Sequence, residues 1–516
     1  VIATDVFDEF LDVNGLRDLA IRSESDEDIA EAFLAAKLPP SIYDDLRIFL
    51  DAVRYPLAVR SSSLLEDAQH QPFAGVYRTY MVANSHDDLS LRLDQLCDAV
   101  KLVYASTFYQ DAKSYLSATD NRVEEEKMGV IIQQVVGRRH EQYVYPDFAG
   151  VAHSTNHYPA EQLQPEDGVA LLALGLGRVV VEGGQCLRFS PNRPEHLIQF
   201  GTIDDTLRNS QSRFQAVDVS DPARYPTPGE DDNVATLELA DAERHGTLDA
   251  VGSTYSPENE VIYDGIGRQG PRVVTFAHVL KSGLFPLPDI LRFLLELGSR
   301  CLSCAVEIEF AVNMHDDRPH DFGLLQIRPL MAELTSPDVG EDLLGHSRAV
   351  VSTKVALGNG SYEGIRDIVF VPSDRFDRGQ TQAIAAEVGA MNRKLINEGR
   401  PYLLVGPGRW GSSDRWLGIP VSWSDISGAA VIVEADLEDF KVTPSQGTHF
   451  YQNLTSFQVG YLTVNSSSGG GRLDWDWFEN LEAQEDTDYL RHIRLDAPLE
   501  VMVDGRSSRG VILRSK

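Results

Sequence analysis

Cysteine is scarce. Four in 516 residues exclude a disulfide framework and agree with a reducing compartment, so a cytoplasmic protein is expected. Cys301 and Cys304 form the single CxxC, and a zinc site would need a second pair of ligands, so buried structural thiols are expected there. Long apolar runs are missing too. The best, Val169 to Val181, is broken by Gly175, Gly177 and Arg178 and falls short of the roughly 18 residues of a membrane span. The first residues lack the pattern of a signal peptide. Lysine is rare, with 9 Lys against 37 Arg, and these 46 basic side chains face 78 acidic ones for a net charge of -32. That balance excludes a general nucleic-acid binder, because phosphate backbones are held by clustered Lys and Arg. No GxxxxGK[ST] loop, G-x-S-x-G elbow or catalytic Cys–His signature is present, which argues against a Walker-type NTPase and an activated-nucleophile enzyme.

The composition that remains, 42% apolar with 24% charged, is that of a large globular chain of two to four domains. Its acidic surface fits either a salt-rich cytoplasm or an ordinary acidic protein. Apolar residues at helical spacing predict one long helix over Leu91 to Leu116, and MGVIIQQVV (128–136) predicts a buried strand. A polar stretch from Ser210 to Asp232 reads as a surface excursion, and Leu287 to Gly298 as a helix ending at its glycine. Periodicity lapses between Glu333 and Ser347, the expected boundary between a module over 1–334 and a C-terminal domain over 347–516. Beyond it RDIVFVP, a helix over Gln380 to Asn397, PYLLV, AAVIVEA, QVGYLTV and LEVMVDG alternate, so the fold class is α/β to α+β throughout.

Two motifs carry chemistry. In AVEIEFAV (305–312) the period of two puts Glu307 and Glu309 on one face, and in GLLQIRP (323–329) Gln326 and Arg328 share a face. Paired as a hairpin, they set two carboxylates beside an amide oxygen and a guanidinium. Such hard oxygen donors suit Mg²⁺, and an adjacent Arg can neutralise a phosphoryl group in flight; cross-strand ion pairs on a solvent-facing hairpin are the alternative. In PLAVRSSSLLED (56–67), followed by QPFAGVY, a strand ends on Arg60 and the small residues Ser61 and Ser62, which can cradle phosphate or form an ordinary polar turn.

Together AVRSSSLLEDAQHQPFAGVYRTYMV, VYASTFYQDAKSYL, GVIIQQVV, GVALLALGLGRVVVEGG and VEIEFAV…LLQIRP resemble, in order and spacing, the nucleotide-binding domain of phosphoenolpyruvate synthase and pyruvate phosphate dikinase. This is the PEP/pyruvate-binding domain, an ATP-grasp module of two lobes. The resemblance covers about residues 1–334. It implies an ATP- and Mg²⁺-dependent phosphotransferase in which Arg60 and Arg328 are phosphate-binding and catalytic. It further implies that Glu307, Glu309 and Gln326 are the metal-ligand group, and that Ser61, Ser62, Gln133 and Val135 bind nucleotide, the last two in a hinge along adenine. Three departures accompany it. The family's Gly-rich, Lys-bearing segment would lie upstream of Val1. Arg178 follows Gly175-Leu176-Gly177 where the family reads GLGE, the nearest acid being Glu182. The phosphohistidine motif G-x-T-x-H-A and the pyruvate-binding barrel are absent from these residues, so the chain is not expected to make phosphoenolpyruvate by itself. A nucleotide-binding regulatory or assembly protein that does not turn ATP over is the alternative reading.

The C-terminal blocks YLLVGPGRWGSSDRWLGIPV (402–421) and PSQGTHFYQNLTS (444–456) resemble the tails of a PEP-synthase-like bacterial group with no assigned reaction. In the first, Arg409, Trp410, Ser412 and Ser413 on a Gly-rich turn are a candidate second ligand site, where Arg409 would fork onto an anion and Trp410 stack on a ring. In the second, His449 is a candidate general base or phosphoryl acceptor. Packing of the domain is the alternative for both. The expected partners are a small-molecule acceptor or a protein histidine, with no nucleic acid or membrane; a homo-oligomer is compatible with the sequence.

Overall fold

The computed structural model describes residues 1–516 apart from 64–65, 67–74, 118–122, 124–125, 157–162, 196, 201, 230–232, 331–338, 363, 413, 415–416, 438–441, 443–458, 467–468, 506 and 516. The fold is mixed α/β. Amphipathic helices open the chain, among them Thr4–Asn14, Asp26–Ala35 and Pro40–Ala52. They pack on a helix Leu89–Ser106, whose Leu96, Val100 and Val103 are fully buried, and on an antiparallel sheet in the order Thr79–Val82, Leu57–Ser63, Met128–Gln134. The single helix expected over 91–116 is two, Leu89–Ser106 and Gln110–Ser117. The break has a distant cause: the Gln110 N–H, an orphan at the start of the second helix, donates to the Asp26 carboxylate at 2.8 Å.

A five-stranded antiparallel sheet follows, ordered Asp321–Pro329, Val306–Asn313, Phe148–His153, Val169–Leu174, Leu187–Phe189. Its edge is the expected hairpin, with Glu307 opposite Arg328, Ile308 opposite Ile327 and Glu309 opposite Gln326, and a bulge after Glu309. The helix expected to stop at Gly298 runs Leu287–Leu302. Gly298 is instead a point of close approach, since a Cβ there would lie 2.6 Å from Ile327 Cδ1 and 3.2 Å from Val306 Cγ2. The stretch read as a surface excursion contains a core strand, Arg213–Asp218, with Phe214, Ala216 and Val217 fully buried. It pairs with Tyr143–Tyr145 and Val234–Glu238. Gly175 passes against it at φ +80°, where a Cβ would meet the Gln215 carbonyl at 2.6 Å. Cys301 is exposed rather than buried.

The C-terminal third holds a seven-stranded mixed sheet whose four neighbours Gly460–Val464, Ala429–Ala435, Tyr402–Pro407 and Asp367–Phe370 run parallel, with the helix Thr381–Asn397 as a crossover. Apart from the half-buried Ala430, these strands are buried along their length, which explains their continuous apolar runs. A five-stranded antiparallel sheet completes this part. One apolar cluster joins the N-terminal helices to the helix Thr381–Asn397 and to Trp410, Val421 and Trp423. Among the described residues no helix is long and apolar enough to cross a membrane.

Candidate functional site

Arg60 sits in the middle strand of the N-terminal sheet, in register with Thr79 on one side and Ile131 on the other. Its guanidinium reaches out of that sheet to the hairpin of the next. One terminal nitrogen donates to Gln326 Oε1 at 2.6 Å and lies 3.5 Å from Glu309 Oε2, while the other donates to Gln133 Oε1 at 3.4 Å. The Gln133 amide nitrogen in turn donates to the Leu325 carbonyl at 3.4 Å. Arg60, Gln133, Glu309 and Gln326, from three distant segments, therefore meet in one polar cluster.

Glu307 and Arg328 form a second cluster, deeper by one step along the hairpin. Glu307 is fully buried; Arg328 Nε donates to its Oε1 at 2.5 Å, and its Oε2 lies 2.6 Å from Nε2 of His153, the residue opposite it on the neighbouring strand. Burial by itself would raise the Glu307 pKa, but Arg328 and then His153 outweigh it and hold the carboxyl well below the usual carboxylate range. Both Glu307 oxygens are thus engaged by basic side chains at hydrogen-bond distance, whereas the contacts of Glu309 with Arg60 and Arg328, at 3.5 and 3.8 Å, are longer. Arg328 also approaches Glu309 Oε1 at 3.8 Å.

Between the two sheets lies a cavity of about 530 Å³, within the range of small-molecule and cofactor sites. Gln133 to Val136 line it together with the apolar Ala58, Met81 and Leu325, and Arg60 and Glu309 bring charged groups to it. Arg178 and Glu182, one helical turn apart and ion-paired, also face it, so the acid missing from the GLGE position is present four residues later. Ser61 and Ser62 continue the Arg60 strand, and the Ser61 hydroxyl donates to Glu66 at 2.6 Å; neither serine is among the described residues lining the cavity.

The C-terminal candidates resolve differently. Trp410 is buried, its indole N–H donating to the Val433 carbonyl at 3.2 Å and its backbone N–H to Glu434 Oε1 at 2.8 Å, so it anchors a turn rather than offering a ring to a ligand. Arg409 and Ser412 both donate to the Gly183 carbonyl, at 3.4 and 3.3 Å, tying that turn to the segment just beyond Glu182. Ser413 and His449 lie outside the described residues. Gly411, Val421, Ser422 and Trp423 line the cavity, a contribution the sequence reading missed. It also missed Glu434, buried in the parallel sheet with its carboxyl pushed up to about 7 by burial; the signal was an acid inside the apolar run AAVIVEA. Among the described residues no three His, Cys, Asp or Glu side chains gather in one place; beside Arg60 the oxygen-bearing side chains are Glu309 and Gln326.

The cavity thus joins apolar lining residues to the Arg60 guanidinium and the Glu309 carboxylate. The chain belongs to the family of the pyruvate phosphate dikinase AMP/ATP-binding domain, whose model matches residues 1–339. Over 188 residues it is also 26% identical to the "Uncharacterized phosphotransferase YvkC" of Bacillus subtilis (strain 168), a match covering 36% of this chain and 20% of that protein. The match thus spans a fifth of that relative's length.

Proposed function

We propose that the chain is an ATP- and Mg²⁺-dependent phosphotransferase of the PEP synthase/pyruvate phosphate dikinase ATP-grasp type. In this reading the module over 1–334 is a two-lobed ATP-grasp unit, and a small acceptor binds between it and the C-terminal domain over 347–516. The observation that carries the proposal is the shared cavity: the Gln133 to Val136 wall, Arg60, Glu309 and residues of the C-terminal domain line one space. The name of the Bacillus relative, a phosphotransferase, points the same way.

In this reading adenine lies in the cavity beside Val135, whose own N–H is already donated to the Pro56 carbonyl at 2.9 Å, and is held by the apolar lining of Ala58, Met81 and Leu325. Arg60 then holds the phosphate chain at the far end, its guanidinium kept in place by Gln326 and Gln133. Glu309 and Gln326 fit Mg²⁺, a hard cation that takes few protein oxygens and leaves its other positions to phosphates and water. When bound, Mg²⁺ supplies charge neutralisation on the phosphates. Arg328 acts behind this set by orienting Glu309 and compensating Glu307. Transfer rests on positioning and on Arg60 at the developing charge, with the C-terminal wall excluding water from the cavity.

A second reading, nucleotide binding without turnover, is favoured by the engagement of Arg60 with Gln326 and of Arg328 with Glu307. Product analysis separates the two. With ATP, Mg²⁺ and pyruvate, inorganic phosphate or small hydroxyl acceptors, AMP marks dikinase-type chemistry and ADP an ordinary kinase. ATP binding with no turnover on any of these would refute the transferase and leave the regulatory reading.

A further inference from the structure

The helix Leu287–Leu302 carries more apolar surface than the sheet beneath it covers. Its buried stripe is Leu287, Leu291, Leu295 and Gly298. Helical spacing puts Ile290, Phe293, Leu294 and Leu297 on one flank of that stripe. Two close approaches show which way this flank faces. A Cβ on Gly298 would lie 2.6 Å from Ile327 Cδ1, and one on Gly168 would lie 3.8 Å from Leu295 Cδ1. Leu295 therefore leans over the interior strand that begins at Val169, and the opposite flank leans out past the edge strand Asp321–Pro329. That edge pairs with no further strand among the described residues. On it Leu324 and Ile327 share the face of Phe310 and Ile308, their partners in register, yet both are exposed.

Phe293, Leu297, Leu324 and Ile327 are 63, 45, 45 and 40% exposed. At roughly 150–250 Å² for a fully exposed large side chain, these four present about 400 Å² of apolar surface. Ile290 and Leu294, partly buried, continue it. Patches of that size on a soluble chain mark interaction sites. The charges alongside cancel. The acids of the helix, Asp289 and Glu296, are ion-paired with its Arg292 and Arg300, and the strand holds one acid, Asp321, and one base, Arg328. Helix and strand together are thus neutral on a chain of net charge -32.

We propose that this face is a dimer interface whose occupant is a second copy of the chain, related by a two-fold axis. A standard interface buries roughly 800 Å² per partner, of which a little over half is apolar. The patch supplies about that apolar share from each copy, and an isologous contact needs only the one patch. Neutrality matters most for a copy of itself, because two bodies of charge -32 repel each other least where the facing elements carry no net charge. A partner recognised by charge would need a charged complement, and the helix and strand offer none. The strand bulges at Leu325, between the pairs Glu309–Gln326 and Phe310–Leu324, so the seam is carried by side chains rather than by a continued hydrogen-bonded ladder. Glu309 and Gln326 lie on the other face of the same two strands, and the dimer braces their hairpin from behind. Such assembly holds whether or not the cavity binds nucleotide.

Sedimentation velocity on the full chain from about 0.1 to 100 μM, in about 0.1 and 0.5 M salt, tests the assignment. A monomer–dimer equilibrium is expected, tighter at the higher salt because repulsion between the copies is screened while the apolar contact is not. Phe293→Glu combined with Leu297→Glu should raise the dissociation constant at least about thirtyfold, as loss of central anchors does. The melting temperature of the dilute, monomeric protein should stay unchanged, since both side chains are exposed in a single copy. Ile48→Glu, on the exposed side of the helix Pro40–Ala52, should leave the equilibrium unaltered. Hydrogen exchange on the unaltered chain gives a second readout that needs no variant: residues 287–302 and 321–329 should exchange more slowly in concentrated than in dilute protein. A monomer at every concentration would overturn the proposal and leave the face to a different partner. A dimer that persists in the doubly substituted chain, or exchange protection confined to other segments, would overturn it equally.

Discussion

Replacing Glu307 by Gln tests whether this carboxylate is structural or a metal ligand, because its burial makes the two roles differ sharply in consequence. The substitution keeps volume and shape but removes from Arg328, whose side chain is 8% exposed, its close ionic contact and leaves the longer one to Glu309 at 3.8 Å. Breaking a buried pair from one side costs about 3–5 kcal/mol, since the remaining charge stays desolvated. For a cooperative unit of more than about 300 residues, that is a fall in melting temperature of about 3–7 °C. Removing both charges, as Glu307→Gln with Arg328→Met, should return much of the loss, and the double-mutant cycle should give a coupling of about 2 kcal/mol or more. The folded carboxyl lies below its unfolded value, so this stability is present above about pH 4.3 and is lost as pH falls below it. Thermal melts and urea titrations at pH 7.5 and pH 4 supply the numbers. A Glu307→Gln protein within about 1 kcal/mol of the parent at pH 7.5, yet deficient in Mg²⁺-dependent ATP binding, would refute the reasoning and restore Glu307 to the metal.

Three further outcomes are expected. Glu309→Gln should abolish the Mg²⁺ dependence of ATP binding while the melting temperature moves by no more than about 2 °C, and retention of that dependence in a calorimetric titration would argue against Glu309 as a metal ligand. His140 has its pKa lowered to about 4 by burial, then by Arg138 and His245, against which it stacks at 5.2 Å. Its neutral form therefore stabilises the fold above about pH 6.5, and this contribution, discounted to about 1–2 kcal/mol for its solvent-facing edge, drains away as pH falls towards 4; His140→Phe should flatten urea stability between pH 7 and 5. Gly175→Ala forces a side chain into φ +80° and against the Gln215 carbonyl, which should cost about 2–4 kcal/mol; a cost below about 1 kcal/mol in urea unfolding would show that the Gly175 loop yields.

The local features were legible and the distant ones were not. Alternation in AVEIEFAV and GLLQIRP gave the hairpin and the faces its residues share, and continuous apolar runs gave strands in the C-terminal third, because both signals lie within a few residues. The strand Arg213–Asp218 was also visible in principle, since Phe214 and Ala216 alternate with polar neighbours, but the Asp and Pro residues that follow masked it. Gly298 read as a helix stop because composition does not distinguish a cap from a close approach. Nothing near Glu307 announces His153, which arrives from a strand about 150 residues earlier, so hairpin periodicity placed Glu307 with Glu309 when the two diverge in burial and partners. Likewise the expected single helix before Ser117 is interrupted by an Asp26 cap from elsewhere. Arg60 and Gln326 are 266 residues apart and only a resemblance brought them together on sequence grounds. The C-terminal wall of the cavity had no such guide.

The C-terminal wall of the cavity also has a bearing on synthesis and refolding. A ribosome delivers the strands around Arg60 and Gln133 and the hairpin long before Gly411, Ser422 and Trp423 emerge, so the nascent chain carries a cleft with one wall missing. Closure of that wall is a late, long-range event with the loop-closure entropy such contacts demand. Nucleotide affinity should accordingly return after secondary structure during refolding, with a delay set by docking of the last third of the chain. The fully formed pocket is thus reserved for chains whose synthesis has run past the C-terminal turn.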